Sequence, residues 1–275
     1  MQAGIIGLGL MGGSMGLALK ETKMFKTVVG MDASPIHTQQ ALFLGLVDEC
    51  VTMEEMRECD VIFLAIPVDS IIETLQKLPP LTPHVTVIDL GSTKRKIVES
   101  VPSSIRRNFV PAHPMCGTEN FGPKAAFKEL YQNRIVVLTD IEGSGEFQRA
   151  LAKEIFIRIG MNIVKMDSAS HDRHAAFISH LPHIISYALA NTVLSQEDPQ
   201  SILALAAGGF RDMSRIAQSS ARMWTDVSKQ NKEELLQTID FFGKEMILAE
   251  QLIKEERWEE LYEWMEKANT LHHIL

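Results

Sequence analysis

The chain opens with a glycine-rich turn that lies between a short apolar run and a helical pattern. Residues 3–14 read AGIIGLGLMGGS, with glycines at positions 7, 9 and 12. Gly7 permits a sharp turn, Gly9 lets a pyrophosphate approach bare backbone, and Gly12 lets the following helix pack close to the strand. The free N–H groups at the start of that helix then face an anion. The pattern therefore predicts a strand, a tight turn and a helix that bind a dinucleotide.

An acidic residue supports this prediction. The next apolar run, residues 27–31, ends in Asp32, about 20 residues after the last glycine, where an acid can hold a ribose diol. An acid at this position, rather than an arginine, favours NAD over NADP, so we predict NAD as the cofactor. The residues predicted to contact the cofactor are Gly7, Gly9, Leu10, Met11, Gly12, Asp32, Ile66 and Pro67.

Strands and helices alternate up to about residue 166. Apolar runs such as residues 61–66 and 85–90 are typical of strands buried in a parallel sheet. Ligands bind beyond the carboxyl ends of such strands, which places Ile66 and Pro67 beside the cofactor, although a plain strand terminator is equally compatible. From residue 167 onward the pattern is only helical. We predict an α/β fold: a Rossmann-type doubly wound sheet over 1–166, then an all-α domain over 167–275.

Composition excludes several classes of protein. A hydrophobic content of 45% with 23% charged residues is ordinary for a soluble globular enzyme, and the net charge of −8 argues against a protein that coats nucleic acid. The three cysteines are unclustered, which suits a reducing compartment. No signal peptide opens the chain, and no apolar run approaches the roughly 18 residues of a membrane-spanning helix. We expect a cytoplasmic protein with neither a nucleic-acid nor a membrane partner.

The first half offers two candidate polar groups beyond the cofactor turn. His113 lies between Pro111 and Pro114, so we expect a rigid turn to present an imidazole that can accept a proton near neutral pH. A structural histidine is equally compatible, whereas a Cys116 nucleophile is disfavoured because no second activating partner is near. Ser92 follows a strand end, where it can cap a helix, contact the reacting group, or do both.

The helical half contains four histidines within residues 171–183. A zinc site is disfavoured because no cysteine or well-spaced carboxylate completes it and Pro182 disturbs the helix face, so we predict no metal. We expect His171 and His174 at a helix surface or an interface. The mostly apolar helix 184–194 is expected to be buried on most sides.

Two arginines follow a pair of glycines further along the helical half. Arg211 and Arg215 stand just after Gly208 and Gly209, and a guanidinium fork matches the geometry of a carboxylate. An arginine pair taken alone is more often a surface feature.

Five segments together carry a resemblance to a known family. They are residues 7–14 (GLGLMGGS), 89–94 (DLGSTK), 112–119 (AHPMCGTE), 179–183 (SHLPH) and 208–215 (GGFRDMSR). The first is shared by many dehydrogenases, and the last three in this order are specific. The chain resembles the prephenate dehydrogenase family of tyrosine biosynthesis, and the resemblance covers nearly its whole length.

The resemblance implies an activity, a site and an assembly. The family oxidatively decarboxylates prephenate with NAD to 4-hydroxyphenylpyruvate, carbon dioxide and NADH, and it pairs a Rossmann domain with a helical domain that forms most of a homodimer. His113 matches the catalytic histidine, which accepts the proton of the ring hydroxyl, and Ser92 matches the residue that supports it. The matching substrate-binding positions are Arg215, which binds a carboxylate, His183 in the pocket, Thr118 and Glu119 at its mouth, and Arg211 as a second cation. His180 and Trp224 match positions near the pocket.

Two departures and three alternatives accompany this interpretation. Residues 219–222 read SSAR where many relatives have a Ser-Asp-Pro run, and Arg211 stands where relatives often have lysine. The nearest alternative is an arogenate dehydrogenase or a dual-specificity cyclohexadienyl dehydrogenase. A hydroxyacid dehydrogenase of the 6-phosphogluconate type would use a lysine base that the helical motifs lack. A catalytically inactive NAD sensor is disfavoured by the intact His113, Ser92 and Arg215.

Overall fold

The structure is a computed structural model that describes residues 1–274. Its strands are β1 Gln2–Ile6, β2 Thr27–Met31, β3 Glu49–Cys50, β4 Val61–Leu64, β5 Thr86–Asp89, β6 Phe109–Pro114, β7 Ile135–Thr139 and β8 Asn162–Met166. The helices of the first half are α1 Leu10–Thr22, α2 Pro35–Phe43, α3 Met53–Met56, α4 Val68–Lys77, α5 Arg95–Ser100 and α6 Glu146–Arg158. Those that follow the sheet are α7 Ser168–Ala175, α8 Leu181–Leu194, α9 Pro199–Ala204, α10 Gly208–Ser214, α11 Ala221–Gln230, α12 Lys232–Lys254 and α13 Trp258–Asn269.

The eight strands form one sheet in the order β3-β2-β1-β4-β5-β6-β7-β8. All neighbours pair in parallel except β6 and β7, which are antiparallel. The strand order runs outward from β1 in both directions, as in doubly wound dinucleotide-binding sheets. The predicted α/β class followed by a helical region is therefore confirmed.

Helices cover both faces of this sheet, and each face has its own apolar core. Leu8, Met15 and Leu19 pack on one face together with Phe63 of β4. Ile62 packs on the opposite face with side chains of α4 and α5. All four residues of β4 are buried, as expected for a near-continuous apolar run in a sheet covered on both faces.

Helix α8 is less buried than its sequence predicted. Of its fourteen residues only Leu181 and Ser186 are buried in the single chain, so the prediction of a helix buried on most sides is wrong for one copy. The other helices that follow the sheet cover only part of the apolar surface of α8. Large apolar side chains of α12 also remain exposed, among them Phe241, Met246 and Ile247. Within residues 1–274, no helix combines the length and the apolar character that crossing a membrane requires.

Candidate active site

The turn between β1 and α1 depends on its glycines in different ways. Gly7 has a φ of +96°, in the left-handed region that disfavours other residues, and its N–H donates to the carbonyl of Met31 at 2.8 Å. A Cβ on Gly12 would lie 1.8 Å from the oxygen of Gly7, whereas a Cβ on Gly9 would meet no atom within 4 Å. Gly7 and Gly12 therefore shape the turn, and Gly9 leaves space open in front of it.

The start of helix α1 is suited to an anion. Helix α1 begins at Leu10, directly after Gly9, with neither a side-chain cap nor an acidic residue in its first turn. The first N–H groups of a helix have no partner within it and carry a partial positive charge. The turn and the N–H groups of Leu10, Met11 and Gly12 thus fit the pyrophosphate of a dinucleotide.

Asp32 lies at the end of β2 beside this turn. One carboxylate oxygen accepts the N–H of Leu8 at 2.8 Å, and the other accepts the N–H of Ser34 at 2.8 Å. His37 Nδ1 lies 3.4 Å from the same carboxylate. These contacts hold Asp32 in one orientation at the carboxyl end of the sheet, where it was expected.

Ile66 and Pro67 follow β4 on the other side of the glycine turn. A Cβ on Gly7 would lie 2.7 Å from Cγ2 of Ile66, so this segment packs directly against the turn, and Pro67 precedes the first residue of α4. The eight residues predicted to contact the cofactor therefore gather at the carboxyl ends of β1, β2 and β4, while their individual roles stay predictions.

His113 lies inside strand β6 and not in a turn, which corrects the expectation from its flanking prolines. It pairs in register with Val137 of the antiparallel strand β7. Strand β6 pairs with β5 up to Pro111 and with β7 from Ala112 onward. Both prolines are thus accommodated in the strand, because the pairing does not require an N–H at either position.

His113 forms a hydrogen bond with a second buried histidine. His113 Nδ1 lies 2.8 Å from Nε2 of His171, and His171 Nδ1 lies 2.8 Å from a carboxylate oxygen of Asp172. His171 is only 2% exposed, so the expected place at a helix surface is wrong, and the ring is buried where α7 meets the first half of the chain. Helix α7 packs against the first domain and turns His171 inward, whereas His174 on the same helix is exposed.

Asp172 also caps a helix of the other half. Its two carboxylate oxygens accept the N–H groups of Lys94 at 2.7 Å and Arg95 at 2.9 Å, at the start of α5. Burial alone would raise the pKa of Asp172, but the hydrogen bonds from His171 and these two N–H groups lower it overall. Ser92 is therefore not the N-cap of this helix, because α5 begins at Arg95 and a carboxylate from α7 takes that place.

A buried ion pair lies next to the histidine pair. The Lys94 ammonium contacts the carboxylate of Asp89 and donates to the carbonyl of Ala112 at 2.7 Å. Asp89 also accepts the N–H of Ala112 at 3.2 Å. Both charged side chains are fully buried, so they fix the end of β5 against the residue that precedes His113. No local feature of the sequence indicated this role for Lys94.

The electrostatic surroundings keep His113 neutral. Burial lowers its pKa well below the ordinary 6.5, and the neighbouring His171, Lys94 and His180 lower it further. A neutral imidazole near pH 7 can accept a proton. Burial raises the pKa of Cys116 to about 12, which leaves its thiol protonated and agrees with the disfavoured nucleophile.

An ion pair joins the loop after β6 to the helical half. Arg215 Nη1 lies 3.0 Å from Oε2 of Glu119, and the arginine is 56% exposed. Thr118 lies exposed on the same loop, and its hydroxyl accepts the N–H of Asn120 at 3.2 Å. The structure thus connects Arg215 of the helical half with the loop that follows the strand of His113.

Two predicted site residues make other contacts. Arg211 donates through Nε to the carbonyl of Ala206 at 3.2 Å, just before its own helix. Ser92 is half-buried in the loop between β5 and α5, and within residues 1–274 its hydroxyl makes no hydrogen bond to His113. The supporting role implied for Ser92 stays a prediction.

His183 and Trp224 form an aromatic stack in the helical half, near Arg215. Their ring centroids are 3.5 Å apart with an interplanar angle of 22°, and His183 Nδ1 lies 2.9 Å from the carbonyl of Ser179. His180 is 1% exposed and packs edge-on against the same indole. A π-helical turn at Ala176–His180 precedes α8, and Pro182 fits within the first turn of that helix. Such π-helical turns are frequent at functional sites.

A glycine turn that fits a dinucleotide, with a neutral histidine on another strand of the same sheet, defines the Rossmann-fold dehydrogenase class. The chain belongs to the prephenate dehydrogenase family. Residues 15–165 match the family model described as prephenate dehydrogenase, nucleotide-binding domain, and residues 167–267 match the model described as prephenate dehydrogenase, dimerization domain.

Characterised relatives agree with this family. The prephenate dehydrogenase of Bacillus subtilis is 31% identical over 271 residues, which cover 96% of this chain and 73% of the relative. The cyclohexadienyl dehydrogenase of Zymomonas mobilis is 35% identical over 244 residues, which cover 86% of this chain and 83% of the relative.

Solved structures agree as well. A crystal structure of the Aquifex aeolicus prephenate dehydrogenase, in complex with hydroxyphenyl propionate and NAD⁺, superimposes with a TM-score of 0.92 at 30% identity and covers 99% of this chain and 97% of that one. The arogenate dehydrogenase of Synechocystis gives a TM-score of 0.81 at 29% identity and covers 99% of both chains.

Proposed function

We propose that this protein is an NAD-dependent prephenate dehydrogenase that converts prephenate and NAD⁺ into 4-hydroxyphenylpyruvate, carbon dioxide and NADH. The similarity to prephenate dehydrogenases over nearly the whole chain supports this proposal. The similarity to the cyclohexadienyl dehydrogenase of Zymomonas mobilis makes such an enzyme, active also on arogenate, the second candidate.

One observation carries the proposal: the Arg215–Glu119 ion pair. It joins the helical half to the loop that begins just after His113. A guanidinium is therefore tied to the loop that follows the strand of the proton acceptor. Prephenate has an alcohol that gives up its proton during oxidation and two carboxylates, so it needs both groups.

The residues of the glycine turn fit NAD. We assign the pyrophosphate to Gly9, Leu10, Met11 and Gly12 at the start of α1, and the ribose diol to Asp32. Ile66 and Pro67 border the turn on the side of β4, which leads toward β5 and β6. When bound, NAD accepts a hydride; the protein has to hold the hydroxyl-bearing carbon of the substrate nearby.

His113 acts on the substrate hydroxyl. As hydride leaves the carbon that bears this hydroxyl, His113 accepts the hydroxyl proton, and the carbon–oxygen bond becomes a carbonyl. Breaking the bond to the ring carboxylate then releases carbon dioxide, and its electron pair restores the aromatic ring as a phenolate. His113 returns the proton to that oxygen, so the overall reaction releases no proton.

The remaining predicted residues bind and orient the substrate. Arg215 binds one carboxylate, and its exposure leaves the guanidinium free to exchange Glu119 for a ligand. Arg211 supplies a second cation close to the same helix end. His183 forms part of the pocket wall, where its stacking on Trp224 holds the ring in one orientation, with Thr118 at the mouth and Ser92 beside the hydroxyl.

We also propose a homodimer formed through the helical half. The half-exposed apolar surface of α8 and the exposed Phe241, Met246 and Ile247 of α12 offer a surface that a second copy would cover.

We place the boundary between the two domains at residue 166, where the last strand, β8, ends and only helices follow. The three cysteines are unpaired, which fits a cytoplasmic protein.

A substrate and cofactor panel tests the proposed function. Purified protein is incubated with prephenate or arogenate and with NAD or NADP, and both the reduced cofactor and the aromatic product are quantified. The proposal predicts the highest kcat/KM with prephenate and NAD. A higher kcat/KM with arogenate would establish the second candidate, and cofactor binding without turnover of either substrate would overturn both.

A further inference from the structure

The buried contacts of His113 extend the account beyond the residues assigned so far. We propose that His171 and Asp172 are positioning residues that hold His113 as its Nδ1–H tautomer and share the proton that it accepts. The catalytic part of this inference rests on the proposed function, whereas the tautomer is a property of the protein alone.

The tautomer follows from the order of the hydrogen bonds. The pKa of Asp172 is lowered overall, so its carboxylate is ionised and can only accept; the bond to His171 Nδ1 is therefore donated by His171. In neutral His171 the other nitrogen, Nε2, then carries the lone pair. His113 must donate its own Nδ1–H to that atom. Its Nε2 is left with the lone pair of a base.

The free nitrogen of His113 is placed to receive a proton. Within residues 1–274, no protein group pairs with His113 Nε2, and this atom is not among the fully buried polar atoms that lack a partner. It therefore retains access to solvent. The hydrogen bond to His171 thus occupies Nδ1 of His113 and leaves Nε2 open to a ligand.

Asp172 is held firmly enough to impose this order. Its two oxygens accept N–H groups of Lys94 and Arg95, and its carbonyl accepts Nδ2 of Asn231 at 2.7 Å. The start of α5 favours a negative charge. The start of α5 holds both carboxylate oxygens, and Asn231 holds the backbone of the same residue, so the carboxylate cannot rotate away. The hydrogen at His171 Nδ1 is therefore fixed as well.

Proton sharing follows from the charges around His113. Burial and the Lys94 ammonium oppose a positive charge on its ring, and Asp89 is already paired with Lys94. When His113 accepts a proton at Nε2, its Nδ1 proton can move to Nε2 of His171, which places the positive charge beside Asp172. Returning the substrate's proton reverses both transfers, so no proton is lost from the chain.

Nitrogen NMR of ¹⁵N-histidine-labelled protein tests the tautomer directly. The wild-type protein without substrate should show His113 as the Nδ1–H form near neutral pH. Asp172→Asn should loosen the order, because the amide carries no charge and must turn its NH₂ toward one of the three donors that the carboxylate accepts, so that the Nε2–H form of His113 appears beside the Nδ1–H form. His174→Gln, an exposed residue of the same helix, is the matched control and should leave the His113 signals unchanged. An Nε2–H His113 in the wild type would overturn the proposal.

Kinetics with prephenate and NAD test the catalytic part. Asp172→Asn should lower kcat by about 100-fold, within the range for general-base catalysis, while KM and the NAD affinity stay within about threefold of wild type. Glutamine at position 171 can still accept the Nδ1–H but cannot take up a proton. His171→Gln should therefore keep the tautomer and lower kcat by about tenfold.

These variants distinguish the possible failures. His171→Gln leaves the caps of Lys94 and Arg95 in place, so it reports on the relay even if Asp172→Asn fails to fold. Wild-type kcat in His171→Gln would overturn proton sharing. Absence of prephenate turnover in the wild type would overturn the proposed function, while the tautomer would still be decided by NMR.

Discussion

The imidazole of His183 stacks on the indole of Trp224, with ring centroids 3.5 Å apart. Burial lowers the pKa of His183 and the nearby Arg215 lowers it further, although the carbonyl of Ser179 acts in the opposite direction. The ring is therefore neutral at pH 7. If His183 forms the proposed pocket wall, that wall is rigid and adds no charge beside the arginine.

Trp224→Leu tests this wall. Leucine retains apolar bulk but removes the stack, so we expect KM for prephenate to rise by about tenfold through the loss of roughly 1.4 kcal/mol of ring–ring contact. Trp224→Phe keeps an aromatic face and serves as the control, with KM within about threefold of wild type. Steady-state kinetics decide, and equal KM values for the two variants would show that the stack does not orient His183.

Two alanine substitutions separate the shape of the glycine turn from its ligand contact. Gly12→Ala places a Cβ 1.8 Å from the oxygen of Gly7, so it should destabilise the fold by about 1–3 kcal/mol or more. Gly9→Ala meets no atom within 4 Å, so it should fold normally and weaken NAD binding by about tenfold or more, because the methyl group occupies the space assigned to pyrophosphate. Thermal unfolding and NAD titration measure the two effects. Unchanged NAD affinity in Gly9→Ala would contradict the assignment.

Arg215→Ala tests the carboxylate contact. Its ion pair with Glu119 is solvent-exposed, and such pairs contribute only about 0–1 kcal/mol to stability, so the fold should be little affected. Loss of a guanidinium–carboxylate contact should raise KM for prephenate by about tenfold or more. Arg222→Ala, an exposed arginine that was assigned no role, is the control. An Arg215→Ala enzyme with wild-type KM would remove this residue from the site.

The pH dependence of kcat/KM follows from the lowered pKa of His113. The base must be neutral, so activity is present above its pKa and is lost as the pH falls through it. Because burial, His171, Lys94 and His180 lower this pKa well below 6.5, the acidic limb should have its midpoint below pH 6.5. A limb centred at or above that value would indicate an exposed, unperturbed imidazole.

The sequence was sufficient for features that rest on local physical rules. The Gly7 turn, Asp32 at the end of β2 and the succession of buried strands follow from backbone freedom, residue spacing and apolar runs, so the fold class could be predicted. The importance of His113 and Arg215 came from a resemblance between motifs. The ion pair that connects Arg215 with the loop after β6 depends on how the two halves pack, which no local pattern specifies.

The features that the sequence did not reveal depend on contacts between distant segments. His171 and His113 are 58 positions apart, and Asp172 caps a helix 78 positions earlier. A histidine followed by an aspartate at a helix start was visible, but its inward orientation was not. Likewise, the sequence shows that α8 is apolar. Which of its side chains are buried depends on the helices packed around it, and these contacts cannot be predicted from one helix alone.

The most direct test of the central claim compares wild-type protein with His113→Asn, using prephenate and NAD. NADH and 4-hydroxyphenylpyruvate are quantified together, and the NAD affinity is measured separately. The account predicts equimolar products from the wild type and a turnover lower by about 10²–10⁴-fold in the variant, with NAD binding nearly intact. Undiminished turnover in His113→Asn, or an equal loss of turnover and NAD affinity, would contradict it.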